Sequence, residues 1–190
     1  MFDGFRLIFL GLFFATFHIN IGTLQILPAF VGWIIVLNGI SKIRAEFEHK
    51  SFHKASLYAS GLIIHSIISF AIGFIYGKSL DNSIPIIMWN VIFGLLELLL
   101  DFKILEGAIS YFKSTARLEL AEEFIHHLKI YICIFITNTI IIGVGATLYN
   151  NLLIGISVFL ALILRIVFMV MVNRLKKESD TISTSIDVSI

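Results

Sequence analysis

Cysteine is almost absent from this 190-residue chain, proline nearly so, and charge is scarce. The single cysteine, Cys133, excludes an intramolecular disulfide and any metal cage built from thiolates. It lies inside an apolar run and reads as a small packing residue. The two prolines, Pro28 and Pro85, both fall near the expected start of a helix. Charged residues make up 14% of the chain, against about 25% in a soluble domain. That is too little polar surface to cover a globule in water. A formal net charge of +1 argues against a nucleic-acid partner, which needs a basic face. H-E-x-x-H, G-x-S-x-G and phosphate-binding glycine loops are all missing. No catalytic residue, cofactor or metal is therefore assigned.

What the chain has is apolar length. Hydrophobic residues make up 58% of it and the mean hydropathy is +0.96. A mass of 21.4 kDa leaves room for one bundle and no separate soluble domain. A bilayer core takes about 20 helical residues. The expected fold is all-α, an integral membrane bundle of six transmembrane helices with both termini cytoplasmic. The spans are expected at 5–19, 26–43, 55–77, 84–112, 129–149 and 152–174. The first apolar block, Phe5 to Ile40, is too long for one span. His18-Ile19-Asn20-Ile21-Gly22-Thr23, with Pro28 shortly after, divides it. One span plus a re-entrant segment is the alternative. Arg6 ahead of an apolar run looks like the front of a signal peptide, but no small-x-small site follows, so an uncleaved span is expected. Ser83 suits a cap for the fourth helix, and Tyr149-Asn150-Asn151 suits a tight turn between the last two. Residues 1–177 then form one domain. The tail 178–190, rich in Ser, Thr and Asp, is expected to be disordered.

Loop charge supports this count. Lys42, Arg44, Lys50 and Lys54 lie between the second and third spans. Lys113, Arg117 and Lys129 lie between the fourth and fifth, and Arg174, Lys176 and Lys177 follow the sixth. The intervening loops hold Lys78 or nothing. Short Lys- and Arg-bearing loops stay in the cytoplasm.

Helical spacing then places polar residues on shared faces. On the fourth span Asn90, Gly94, Glu97 and Asp101 form one stripe, while Lys103 and Glu106 point away and can pair. The third span aligns Tyr58, Gly61, His65, Ser69 and Tyr76. The fifth aligns Tyr131, Asn138, Gly145 and Tyr149. Arg165 stands in an otherwise apolar sixth span. A guanidinium offers a carboxylate a bidentate fork, the cheapest way to hold either group in lipid. The candidate site is therefore a buried polar cluster of His65, Ser69, Asn90, Glu97, Asp101, Asn138 and Arg165. The acid that pairs with Arg165 is left open between Glu97 and Asp101. Such a cluster can equally fix helix register, since interhelical polar contacts contribute about 0.6 kcal/mol on average. Intramembrane charges are functional by default.

Weaker signals have plainer readings. Glu122 and His126 have metal-ligand spacing, but their segment reads as a solvated helix face. His18 and His65 fall at mismatched depths for axial haem ligands. Gly4, Gly11 and His18 recur at seven-residue spacing, and Gly143 and Gly145 lie on the fifth span, all consistent with close helix packing. Trp33 and Trp89 mark interfaces or packing.

The segments Ile19-Asn20-Ile21-Gly22 and Ile26-Leu27-Pro28-Ala29-Phe30-Val31-Gly32-Trp33 resemble a hairpin of small uncharacterised polytopic membrane proteins of low-GC Gram-positive bacteria. The resemblance implies a bacterial cytoplasmic membrane and brings no activity with it. Three functions stand as expectations. The first is an accessory, regulatory or immunity-type protein acting through helix contacts on a membrane-protein partner or a second copy of itself. The second is proton-coupled or small-solute transport through Glu97, Asp101, Arg165 and His65. The third is an intramembrane enzyme using Ser69 beside His65, which share a face at i and i+4.

Overall fold

The computed structural model describes the backbone of residues 1–17, 20–21, 24–25, 28–76 and 84–187, and the side chains of 1–17, 28–74, 89 and 91–180. Among the described residues six helices follow one another: α1 (Phe2–Thr16), α2 (Ala29–Glu46), α3 (Lys50–Tyr76), α4 (Ile84–Ser114), α5 (Leu118–Thr147) and α6 (Asn151–Asp187). The fold is all-α. A two-residue ladder, Asn20–Ile21 against Leu24–Gln25, lies between α1 and α2. The first apolar block is thus two helices, divided where Asn20 and Pro28 interrupt it. Ser83, Gly22 and Thr23 lie outside the described residues.

Each helix packs against its neighbours in sequence, and α6 closes on α1. The chain therefore runs up and down around a ring, with neighbouring helices antiparallel. The α1–α2 seam is the tightest part. Gly11 faces Gly32 and Gly4 faces Gly39, so that a Cβ at Gly32 would lie 2.4 Å from the Ala15 nitrogen and 2.6 Å from the Gly11 carbonyl oxygen. A Cβ at Gly39 would lie 2.6 Å from the Gly4 carbonyl oxygen. Two glycines seven apart on each helix bring the backbones into direct contact, where dispersion rather than water expulsion holds helices together in lipid.

The last two connections end helices in the same way. At Ala116 (φ 59°) and Tyr149 (φ 52°) the chain turns left-handed. Arg117 N–H then bonds Phe112 O and Ala116 N–H bonds Lys113 O; Asn150 N–H bonds Gly145 O and Tyr149 N–H bonds Ala146 O. These paired bonds satisfy carbonyls the helix end would leave open. The Asn150 side chain next accepts from Leu152 N–H and Leu153 N–H at 3.1 and 3.2 Å, capping α6.

The core is concentrated at one end of the ring. Phe5 and Ile8 of α1, Ile40 and Ile43 of α2, Phe52 of α3, Leu100, Ile104 and Phe112 of α4, Phe124 of α5 and Phe168 and Leu175 of α6 are fully buried. In an up-and-down ring these positions share one end. The same end carries polar contacts between helices: Ser51 Oγ of α3 donates to Glu106 Oε2 of α4 at 2.7 Å, the oxygen that also accepts from Lys103 Nζ within α4 at 2.6 Å. Arg174 forks onto Glu123, with Nη2 to Oε2 at 2.7 Å, and Arg117 meets Glu178 at 3.4 Å. Toward the opposite end the buried residues thin out, and the outer faces carry exposed Ile64, Phe74, Ile140, Leu152 and Phe159.

Among the described residues three helical segments, Lys50–Phe74, Leu118–Thr147 and Asn151–Asp180, are long and apolar enough to cross a membrane. That is half the number expected. α1 has only 15 residues, and the 18 of α2 include Lys42, Arg44 and Glu46. The fifth helix begins at Leu118, not at 129, because the acidic and histidine-bearing segment continues it inward. The tail expected to be disordered instead continues α6 as far as Asp187, since nothing in Glu178–Asp187 breaks a helix already nucleated upstream. Cys133 is exposed on the outer face and packs nothing inside.

The seam makes a direct forecast. Gly32→Ala pushes a methyl into backbone that cannot rotate away, and should lower stability by about 1–3 kcal/mol. Gly143→Ala meets nothing within 4 Å and should be neutral or gain up to about 1 kcal/mol from helix propensity. Thermal unfolding in detergent distinguishes the two.

Candidate functional site

Arg165 lies about 20 Å along α6 from Asn151, where the dense core gives way to looser packing. Its Nη2 donates to Glu97 Oε2 at 2.5 Å. The question of which acid meets Arg165 is thus answered by Glu97. The bond joins α4 to α6, two helices that are not ring neighbours, and so braces the ring across its interior.

Asp101 sits one turn deeper on α4 and is 2% exposed. Tyr131 Oη, on α5, donates to its Oδ2 at 2.6 Å. Its Oδ1 is buried with no hydrogen-bond partner among the described residues. A second pair lies beside them: Ser157 Oγ of α6 contacts Asn138 Oδ1 of α5 at 2.8 Å, with both residues buried. On α3, His65 Nε2 and Ser69 Oγ are 3.3 Å apart, and the imidazole stacks on Phe93 with 3.8 Å between centroids and 21° between planes. The expected single cluster is therefore a set of short bonded pairs at neighbouring levels. Asn90 lies in the helical backbone of α4, but its side chain is outside the described residues.

Glu97 and Arg165, with His65, Ser69 and Asn138, border a divided pit. One lobe, of about 380 Å³, is bounded by Trp33, His65, Ser66, Ser69 and Phe93, and ends on Gly94, Glu97 and Arg165. The other, of about 530 Å³, is bounded by Phe135, Asn138, Thr139 and Phe159 and ends on the same three residues. Both lie on the side of the ion pair away from the aromatic core. Gly94 stands between the lobes, and a Cβ there would meet nothing within 4 Å. The two partners share the pit unequally. The Arg165 side chain keeps 38% of its surface and Glu97 only 10%, so Arg165 is the more open partner.

Sequence reasoning brought out Glu97, Asp101, His65, Ser69, Asn138 and Arg165, and the Lys103–Glu106 pair, which forms as spaced. It missed the roles of Tyr131 and Ser157. Tyr131 was on the right stripe, and its hydroxyl needed a partner when buried; that signal was present and unused. Glu122 and His126 do not meet a third ligand, and no group of three or more His, Cys, Asp or Glu gathers to hold a metal among the described residues. Glu123 is instead the acid that Arg174 selects. Neither ring nitrogen of His65 bonds an acid among the described residues, so the Ser69–His65 contact lacks the orienting group that nucleophilic catalysis needs.

The Asp101–Tyr131 bond is testable by removing one partner and then both. Tyr131→Phe strips the buried carboxyl of its donor and should lower stability by about 1–3 kcal/mol. Adding Asp101→Leu to that variant removes the orphaned acceptor and should recover most of the loss. Thermal unfolding of both variants reads this out, and a double variant no better than Tyr131→Phe counts against the bond. Against known proteins, no family model, no curated protein and no solved structure matches the chain.

Proposed function

We propose that the chain is a multi-pass protein of a bacterial cytoplasmic membrane, with six spans and both termini inside, that transports a small solute through the pit above Glu97 and Arg165. The short α1 spans with the help of local thinning of the bilayer. Lys- and Arg-rich connections put the dense aromatic end in the cytoplasmic half, and the pit then opens outward. Glu97 and Asp101 supply the carboxyls for proton coupling, and a second copy of the chain is the partner, because six spans are few for alternating access.

The observation that carries this reading is the position of the ion pair at the common end of two lobes. A pair that only locked helix register, as expected of an accessory protein acting through helix contacts, would be best sealed on every side. Arg165 keeps more than a third of its side-chain surface instead. The enzyme reading loses ground with the unsupported Ser69–His65 contact.

Alternating access can be tested without knowing the solute. Gly94→Cys in a Cys133→Ser background is treated with a membrane-impermeant methanethiosulfonate reagent, first on right-side-out and then on inside-out vesicles. Transport expects labelling from both faces. Labelling from outside alone would reduce the pit to a binding vestibule of an accessory protein, and absence of labelling from both would remove the pit from the function.

A further inference from the structure

A guanidinium has five N–H donors. Among the described residues, Arg165 makes one hydrogen bond, from Nη2 to Glu97. Arg165 lines both lobes of the pit, and its side chain keeps 38% of its surface. Asp101 is 2% exposed and lies a turn below, with Tyr131 on it. A solute reaching the end of either lobe therefore meets a cation first. A cationic solute finds no comparably open carboxylate there, because Glu97 is both covered and bonded.

The walls say what else the solute carries. The smaller lobe presents Trp33, Phe70 and Phe93, with His65 stacked flat on Phe93. Ser66 and Ser69 are its hydroxyl groups. Mostly apolar walls with a few convergent polar groups and one fixed charge are the usual form of a small-molecule site, and 380 Å³ is near the lower end of such sites.

Resting on the transport reading above, we infer that the pit binds a small organic carboxylate with an apolar, ring-sized body. Its carboxylate bonds the Arg165 N–H groups that Glu97 leaves unused and competes with Glu97 for Nη2. Its body lies against Phe93 and Trp33. Glu97 is then an internal competitor, which gives the site its distinguishing behaviour: removing that acid's charge strengthens binding, although it breaks an ion pair.

The test is titration calorimetry on the full chain in lipid nanodiscs with three probes. Phenylacetate has both the charge and the ring, phenethylamine keeps the ring and reverses the charge, and inorganic phosphate has the charge without the ring. Phenylacetate alone should bind. Arg165→Gln should weaken it roughly tenfold or more, as expected when a buried charge loses its partner. Glu97→Gln should tighten it, and Gly94→Leu, which fills the junction of the lobes and leaves the pair in place, should abolish it. Failure of phenylacetate to bind, preference for phenethylamine or phosphate, or a folded Glu97→Gln that weakens binding as much as Arg165→Gln overturns the inference. Should either charge variant fail to fold, Gly94→Leu decides, since retained phenylacetate binding in that folded variant also overturns it. Binding with one-sided thiol labelling would leave the carboxylate site standing and remove transport. Two-sided labelling without phenylacetate binding would do the reverse.

Discussion

A charge held inside an apolar ring of helices has to meet its opposite, and the Glu97–Arg165 bond is where this chain resolves that constraint. It connects α4 with α6 across the interior, and everything else polar in the middle of the bundle is arranged around it. Removing one partner of such a pair leaves an uncompensated charge, which destabilises by about 3–5 kcal/mol in buried settings. The bond also sets the depth of the pit. Above it two lobes open; below it Asp101 and Tyr131 are sealed into the packed end.

The two ends of the ring differ because their side chains differ in bulk. Phe5, Phe52, Phe112, Phe124 and Phe168 converge at one end and fill it. At the other, Gly94 and Gly155 border a space that the surrounding aromatic and aliphatic side chains line without filling. A close-packed end and a hollow end in one bundle give a rigid base under an open site. The α1–α2 glycine seam reinforces that base, since backbone contact leaves no room for the two helices to slide.

Much of this was legible in the sequence. Period 3.6 put Glu97 and Asp101 on one face and Arg165 alone on another, and the scarcity of charge made their meeting the expected outcome. Asn20 and Pro28 marked the break between the first two helices, and Tyr149-Asn150-Asn151 marked the last turn. Other features were hidden for identifiable reasons. Gly32 and Gly39 have meaning only opposite Gly11 and Gly4, a relation between helices that no single-helix pattern contains. Ser157 is an ordinary hydroxyl until Asn138 faces it. The polar tail reads as disordered by composition, yet helix propagates through it from α6 to Asp187, because extending a formed helix is far easier than starting one.

By itself the sequence determined the solvent-facing character of the chain, the helical class and the short list of charged groups that had to be neutralised, because these follow from composition and from a periodicity internal to each segment. Only the tertiary structure decided that Glu97 rather than Asp101 takes Arg165, that Tyr131 takes Asp101, and that the ion pair ends a divided pit. Those outcomes depend on the rotation and depth of one helix against another. Such quantities are settled by packing across the ring, at glycine seams and aromatic contacts, and have no counterpart in the spacing of residues along any one helix.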